Sequence, residues 1–137
     1  MQRCILIISL IGIIIAACSV PGCLDTGDAG ITSVTTDKDL YHSHEVMNIT
    51  VSLSSHGETG NATLRLRGIQ DEDGHFQLNQ DIPLTLSPGP NTFVYDHQLP
   101  HCSSCSGLLE GLYKIDASLI VNGNIVSNMT HTFQLKQ

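Results

Sequence analysis

The chain has 137 residues, 41% of them hydrophobic and 14% charged, with a formal charge of −7. Thirteen acidic residues against six basic ones speak against nucleic acid and anionic lipid headgroups as direct partners, since both surfaces repel a negative chain. With no tryptophan and three each of tyrosine and phenylalanine, there is little from which to build a stacking platform for bases or sugars.

Residues 1–23 read as an export signal, residues 24–33 as a flexible spacer and residues 34–137 as one folded domain. Arg3 is followed by an apolar run from Cys4 that ends in the small residues Ala16 and Ala17. That run is shorter than the roughly 20 apolar residues a comfortable membrane-spanning helix needs. Ile15-Ala-Ala-Cys18 resembles the lipobox of prokaryotic lipoproteins, and Val20-Pro-Gly-Cys23 is a second, poorer match. Lipidation at Cys18 leaves Cys23, Cys102 and Cys105, an odd number, whereas lipidation at Cys23 leaves only Cys102 and Cys105. Either choice exports the chain and tethers it to the membrane through lipid. Removing the leader takes Arg3 alone among the charged residues, so five basic and thirteen acidic residues remain, a charge of −8. Leu24-Asp-Thr-Gly-Asp-Ala-Gly30 has no apolar period and reads as spacer.

Beyond it, strand follows strand. Ile31 to Thr36 is β-branched and stops at Asp37-Lys-Asp39. From Val46, Met47, Ile49, Val51 and Leu53 alternate with Asn48, Thr50 and Ser52, the period of a half-buried strand. Ser55-His-Gly-Glu-Thr-Gly60 breaks the run, after which Ala62, Leu64 and Leu66 face inward. Asp71-Glu-Asp-Gly74 is a turn. Phe76 to Leu86 predicts one or two short edge strands interrupted by Pro83. Ser87-Pro-Gly-Pro-Asn91 turns the chain again before Thr92 to Tyr95. Leu108-Leu109 could form a single helical turn. Tyr113, Ile115, Ala117, Leu119 and Val121 then alternate, Asn122-Gly123 supplies a hairpin turn, and Met129, Phe133 and Leu135 line the return strand. About seven strands with no long helical pattern predict an all-β, antiparallel β-sandwich.

Three short motifs carry a resemblance. Tyr41-His-Ser-His-Glu45-Val-Met-Asn-Ile-Thr-Val51 is similar to the Tyr-x-x-Gly-Glu-x-Val-x-Ile-x-Val opening of immunoglobulin-like domains in prokaryotic, foremost archaeal, surface lipoproteins. Macroglobulin-type and proteinase-inhibitor-type modules share this opening. Leu86-Ser-Pro-Gly89 and Gly111-Leu-Tyr-Lys-Ile115 resemble two further turns of those modules. The chain departs at His44, where the pattern has glycine, and at Glu110, where it has proline. The resemblance implies an immunoglobulin-like sandwich and brings no catalytic residue with it.

His101-Cys102-Ser-Ser-Cys105 is the most distinctive local signal. In an exported chain the pair reads as a disulfide that closes a small loop and contributes roughly 2 kcal/mol at most. A redox reading needs the first cysteine at a helix N-terminus. Serines, a glycine and a short β connection follow instead, so that reading is set aside. His97, His101, Cys102 and Cys105 offer soft ligands, yet this is half of a zinc spacing, and an oxidised pair cannot ligate. His42 and His44 read as solvated turn residues, and His131 as a hydrogen-bonded rim residue. Asp71 to Gly74 is too short for an EF-hand and reads as a charged hairpin tip. Asn48, Asn61 and Asn128 each head a glycosylation sequon and are expected to be accessible. There is no nucleophile elbow, phosphate-cradling loop or metalloprotease helix.

The sequence thus predicts a non-catalytic module of the cell envelope without a cofactor, held at the membrane by its lipid anchor and binding other envelope or surface proteins. One alternative is a protease-inhibitor-like domain using the 99–110 loop. Another is an extracytoplasmic metal-binding protein using His97, His101, Cys102 and Cys105.

Overall fold

A computed structural model describes residues 29–137. The signal segment, the lipidation candidates Cys18 and Cys23, and residues 24–28 of the expected spacer lie outside the described residues. The described chain is built from eight strands: β1 (Gly30–Thr36), β2 (Leu40–His42), β3 (Val46–Ser55), β4 (Thr59–Gln70), β5 (Phe76–Leu86), β6 (Gly89–Gln98), β7 (Gly111–Val121) and β8 (Asn124–Lys136). They form a three-stranded sheet, β1-β3-β6, and a five-stranded sheet, β2-β8-β7-β4-β5. The fold class is as expected: an antiparallel β-sandwich, apart from the short parallel pairing of β2 with β8.

The alternation that marks the strands in the sequence is the alternation that fills the core. Met47, Ile49, Val51 and Leu53 of β3 are buried, as are Ala62, Leu64 and Leu66 of β4 and Ile115, Ala117, Leu119 and Val121 of β7. Phe133 and Leu135 close the layer from β8, where the Tyr41 ring meets Phe133 edge-on, 5.6 Å between centroids. The β7–β8 hairpin turns at Asn122 and Gly123, both at positive φ (51° and 81°), as the Asn-Gly pair predicts.

Four details differ from the sequence reading. The domain starts earlier than residue 34, because Ala29 and Ile31 are buried and β1 already pairs with β3 at Gly30↔Ser54. The strand read from Ile31 to Thr36 is present and begins one residue earlier, at Gly30, so it overlaps the expected spacer. Phe76 to Leu86 is one continuous strand. Pro83 is tolerated because β5 is the outer strand of its sheet and ladders only with β4. The bidentate pair between Arg65 and Asp81, 2.7 and 2.8 Å, lies across that ladder and holds the Asp81 carboxyl below its ordinary range. β2 is an extra strand, too short to show a period. The helical turn falls at Ser104–Ser106, before the Leu108-Leu109 pair, and Leu108 is buried.

The alternation breaks inside β4. Gly68 and Ile69 are both buried, and Ile69 lies at φ 55°, a costly conformation for a β-branched residue. β4 leaves its ladder with β7 at Gly68↔Ile115. A Cβ on Gly68 would stand 2.3 Å from the Lys114 carbonyl oxygen and 2.9 Å from Ile115 Cα. Both neighbours are backbone and cannot swing away. Gly68→Ala is therefore expected to cost about 1–3 kcal/mol, the range for an overpacked core. Gly60→Ala, with nothing within 4 Å of the added carbon, serves as control. Urea denaturation checks this, and equal midpoints for the two variants would contradict the close approach.

Candidate functional site

One end of the sandwich gathers the chemistry-bearing segments: the β2–β3 turn, the β4–β5 hairpin tip, the long β6–β7 connection and the C-terminus. The 99–110 connection lies folded back on the domain. Leu99 N–H donates to the Glu45 carbonyl at 3.0 Å, and His44 N–H to the Pro100 carbonyl at 2.8 Å. Ser103, fully buried, takes the Ser43 hydroxyl at 2.9 Å, and its own N–H donates to that hydroxyl oxygen at 3.1 Å. Glu72 N–H donates to the Gly107 carbonyl at 3.1 Å. The C-terminal Gln137 side chain donates to the Leu108 carbonyl at 3.0 Å. Loop 99–110 is therefore bonded to three other segments besides its own strands.

Cys102 and Cys105 form the expected disulfide, their Cα atoms 5.2 Å apart. The metal set drawn from the sequence does not come together. Both sulfurs are bonded to each other, His101 stacks on His44 at 3.7 Å between centroids, and His97 sits half-buried on β6. The Nε2 of His97 is buried with no hydrogen-bond partner among the described residues, and burial holds its pKa below the ordinary imidazole value. His44 is at φ 68°, so the glycine expected by the family pattern is replaced by a residue that keeps the left-handed turn. His131 is half-buried and bonds Thr36 Oγ1 at 2.9 Å, the rim position read from alternation.

Asp71, Asp73 and His75 bring three potential ligand atoms within 4.8 Å of one another, a grouping that sequence reasoning did not make. Asp71 Oδ1 already accepts the N–H groups of Asp73 and His75, 3.1 and 2.8 Å. The carboxylate is thus explained by the hairpin tip it builds. Of the sequon asparagines, Asn61 and Asn128 are exposed as expected. Asn48 is not freely accessible: it is half-buried on the central strand of its sheet, and its Nδ2 donates to Asp96 Oδ1 at 2.7 Å.

The same end carries exposed apolar side chains that the strand patterns did not single out. Val46 (50% exposed), Phe76 (39%), Leu109 (52%) and Leu112 (69%) all sit where strands meet these loops. Val94 lies mid-strand, and Ile125 belongs to the far hairpin. A shallow groove beside Leu112 is lined by Glu110, Gly111, Gln134, Leu135 and Lys136. Among the described residues there is no helix long and apolar enough to cross a membrane.

No protein-family model matches the chain, and no curated protein sequence does. Solved structures do. A putative β-galactosidase from Bacteroides fragilis matches at a TM-score of 0.54 and 21% identity, over 76% of this chain and 17% of that one. The CARDB domain of a Pyrococcus furiosus protein, solved in complex with di-metal ions, matches at 0.54 and 13% identity, over 80% and 89% of the two chains. The C-terminal domain of wzt matches at 0.57 and 9% identity, over 81% and 75%. The likeness is one of fold. The chain corresponds to a small part of the galactosidase, 17% of its length.

The turn entering this end is anchored by Tyr41, whose side chain is fully buried. Its hydroxyl donates to Asp37 Oδ1 at 2.6 Å and accepts from Lys38 N–H at 3.0 Å, while Asp37 also accepts from Asn48 N–H at 2.8 Å. The bond from Tyr41 holds the Asp37 carboxyl below its ordinary value of 3.8. Its stabilisation is present above that value and lost as pH falls through the lowered one. Burial, and then the bond to Asp37, pushes the Tyr41 phenol up from 10 to about 12. The unfolded chain loses this proton first, so the contribution is whole below pH 10 and is lost as pH rises toward about 12. Tyr41→Phe is expected to lower stability at neutral pH by about 1–2 kcal/mol, measured by denaturant titration. Because phenylalanine cannot ionise, the gap between wild type and variant should narrow above pH 10. A gap that stays constant there would contradict the anchoring role.

Proposed function

We propose that this chain is a non-catalytic binding module of the cell envelope, tethered to the membrane by a lipidated cysteine, with the loop end of the sandwich as its binding face. The observation that carries the reading is the coincidence of two features at that end. Loop 99–110 is held by a disulfide and by bonds to the β2–β3 turn, the β4–β5 tip and Gln137. Leu109 and Leu112 stand exposed at its exit. A pre-ordered loop loses little entropy on binding, and exposed apolar side chains supply the area that association needs. The partner class is another envelope or surface protein. Asn61 and Asn128 are the positions where a glycosylating host would add sugar without obstructing this end, since Asn128 follows the far hairpin and Asn61 lies at the start of β4.

An inhibitor role for the same loop has less in its favour. Ser103 and Leu108 are fully buried, so the connection folds onto the domain where a protease cleft would need a projecting segment.

The binding face is tested by placing a photo-reactive amino acid at Leu109, Leu112 or Ile125 of the full chain in intact cells. Leu109 and Leu112 are expected to give one discrete cross-linked protein and Ile125 none. Equal adducts at both ends, or none at the loop end, would refute the assignment. The tether has its own test. Replacing Cys18 and Cys23 together with serine is expected to move the chain out of the membrane fraction, and a chain that still sediments with membranes would show that no lipid holds it.

A further inference from the structure

Besides stiffening the loop, the Cys102–Cys105 pair has the surroundings of a reactive disulfide. Cys102 Sγ accepts the N–H of Cys105 at 3.2 Å and lies 3.6 Å from the Ser104 hydroxyl. A sulfur within a disulfide is a weak acceptor and gains little from two such donors. A thiolate gains much more, because hydrogen bonds to the charged form favour it. The sequence offered no reason to expect this, since it shows no helix after Cys102. The structure supplies instead the single 3-10 turn over Ser104–Ser106, which aims the Cys105 N–H back at the first sulfur.

The second observation is that the loop keeps its shape by other means. Leu108 N–H and Ser106 N–H both donate to the Ser103 carbonyl, 2.8 and 3.0 Å, and Ser103 is clasped by Ser43. Gly107 N–H donates to the Ser104 carbonyl at 3.2 Å, and the Gly107 carbonyl accepts from Glu72. None of these bonds passes through sulfur. Opening the disulfide therefore leaves both cysteines on the same turn, poised to close again. A cross-link in a loop that has these further bonds, at a sulfur with two donors in place, has the arrangement that exchange needs.

We propose that Cys102 and Cys105 form a thiol–disulfide exchange site, with Cys102 as the stabilised thiolate. Cys105 is the exposed member and Cys102 is half-buried. An incoming thiolate attacks Cys105 Sγ and forms a mixed disulfide, while the bond to Cys102 breaks. Cys102 leaves as a thiolate onto the Cys105 N–H and the Ser104 hydroxyl, since the better stabilised thiolate leaves faster. A second thiolate attacks the outer sulfur of the mixed disulfide, releasing the oxidised co-reactant, and Cys105 takes a proton from water. Two thiols are oxidised to one disulfide as the protein pair is reduced by two electrons. Run backwards, the protein dithiol reduces a disulfide of its partner. The co-reactant is a thiol–disulfide couple, low-molecular-weight or on another exported protein. The inference holds whether or not the loop end binds an envelope protein.

The test equilibrates the full chain with glutathione buffers of varied ratio, followed by acid quench, alkylation and peptide mass spectrometry of the Cys102–Cys105 segment. The pair is expected to open and close reversibly while circular dichroism stays unchanged. In Cys105→Ser, Cys102 is expected to be alkylated at neutral pH about tenfold faster than Cys105 in Cys102→Ser, as follows from a depressed thiol pKa. Adding Ser104→Ala should lower the Cys102 rate severalfold and move its pH profile upward. A pair that resists glutathione until the domain unfolds would overturn the proposal. So would equal alkylation rates of the two thiols with no response to Ser104→Ala, which would leave a purely structural staple.

Discussion

Everything in this molecule depends on one apolar layer pressed between two sheets of unequal width. Alternate residues over Met47–Leu53, Ala62–Leu66 and Ile115–Val121 enter it, so register is not negotiable: a slip by one residue would expose Ile49 in β3, Leu64 in β4 or Leu119 in β7. With so few aromatic residues, the layer is made mainly of aliphatic side chains. Its one aromatic cluster, Tyr41, Phe133 and Tyr113, sits at the loop end, with centroids 5.6 and 6.1 Å apart. That placement couples core to site. The Tyr41 ring belongs to the core, and its hydroxyl organises the turn from Asp37 to Lys38.

The sheets close differently at their two sides. β2 adds a parallel pairing to β8, and β1 reaches β8 through Ile31 N–H on Ser127 Oγ at 3.1 Å. On the other side β5 and β6 are both outer strands, and the half-buried Leu84 and Phe93 flank a shallow groove between them. Pro83 and Pro90 lie on these two strands, where a missing N–H discourages pairing with another chain. The edges are thus guarded, while the loop end presents apolar side chains without such protection.

The fold was legible because period two is a property of the chain that burial merely realises. Tyr113 to Val121 and Met47 to Leu53 could be assigned without any partner in view, and Asn122-Gly123 announced its own turn. What could not be read were features set by approach between distant segments. Nothing local marks Gly68 as the point where β4 meets Lys114, nor Ile69 as the residue that bends to allow it. The domain boundary was drawn at residue 34, inside the strand read from Ile31, because Gly30 is spacer-like by composition and joins the sheet through Ser54. At the site, the disulfide was legible from the Cys-x-x-Cys spacing. Ser103 was not: its burial follows from Ser43, 60 residues away, and strand alternation says nothing inside a loop.

The disulfide loop also shows why a residue pattern and its chemistry separate. Cys-x-x-Cys gives two sulfurs in reach of each other in almost any turn, so the spacing alone cannot distinguish a staple from a reactive pair. What distinguishes them is where the remaining polar groups point and what else holds the backbone. A staple in a loop with no other anchors would be indispensable. Here Ser43, Glu72 and Gln137 hold the loop from outside, and the N–H of Cys105 is turned toward Cys102 Sγ. The loop is thus held by bonds from other segments as well as by its disulfide, and the bonds aimed at Cys102 Sγ are separate from those. The proposed binding face and the proposed exchange pair therefore place different demands on one short connection.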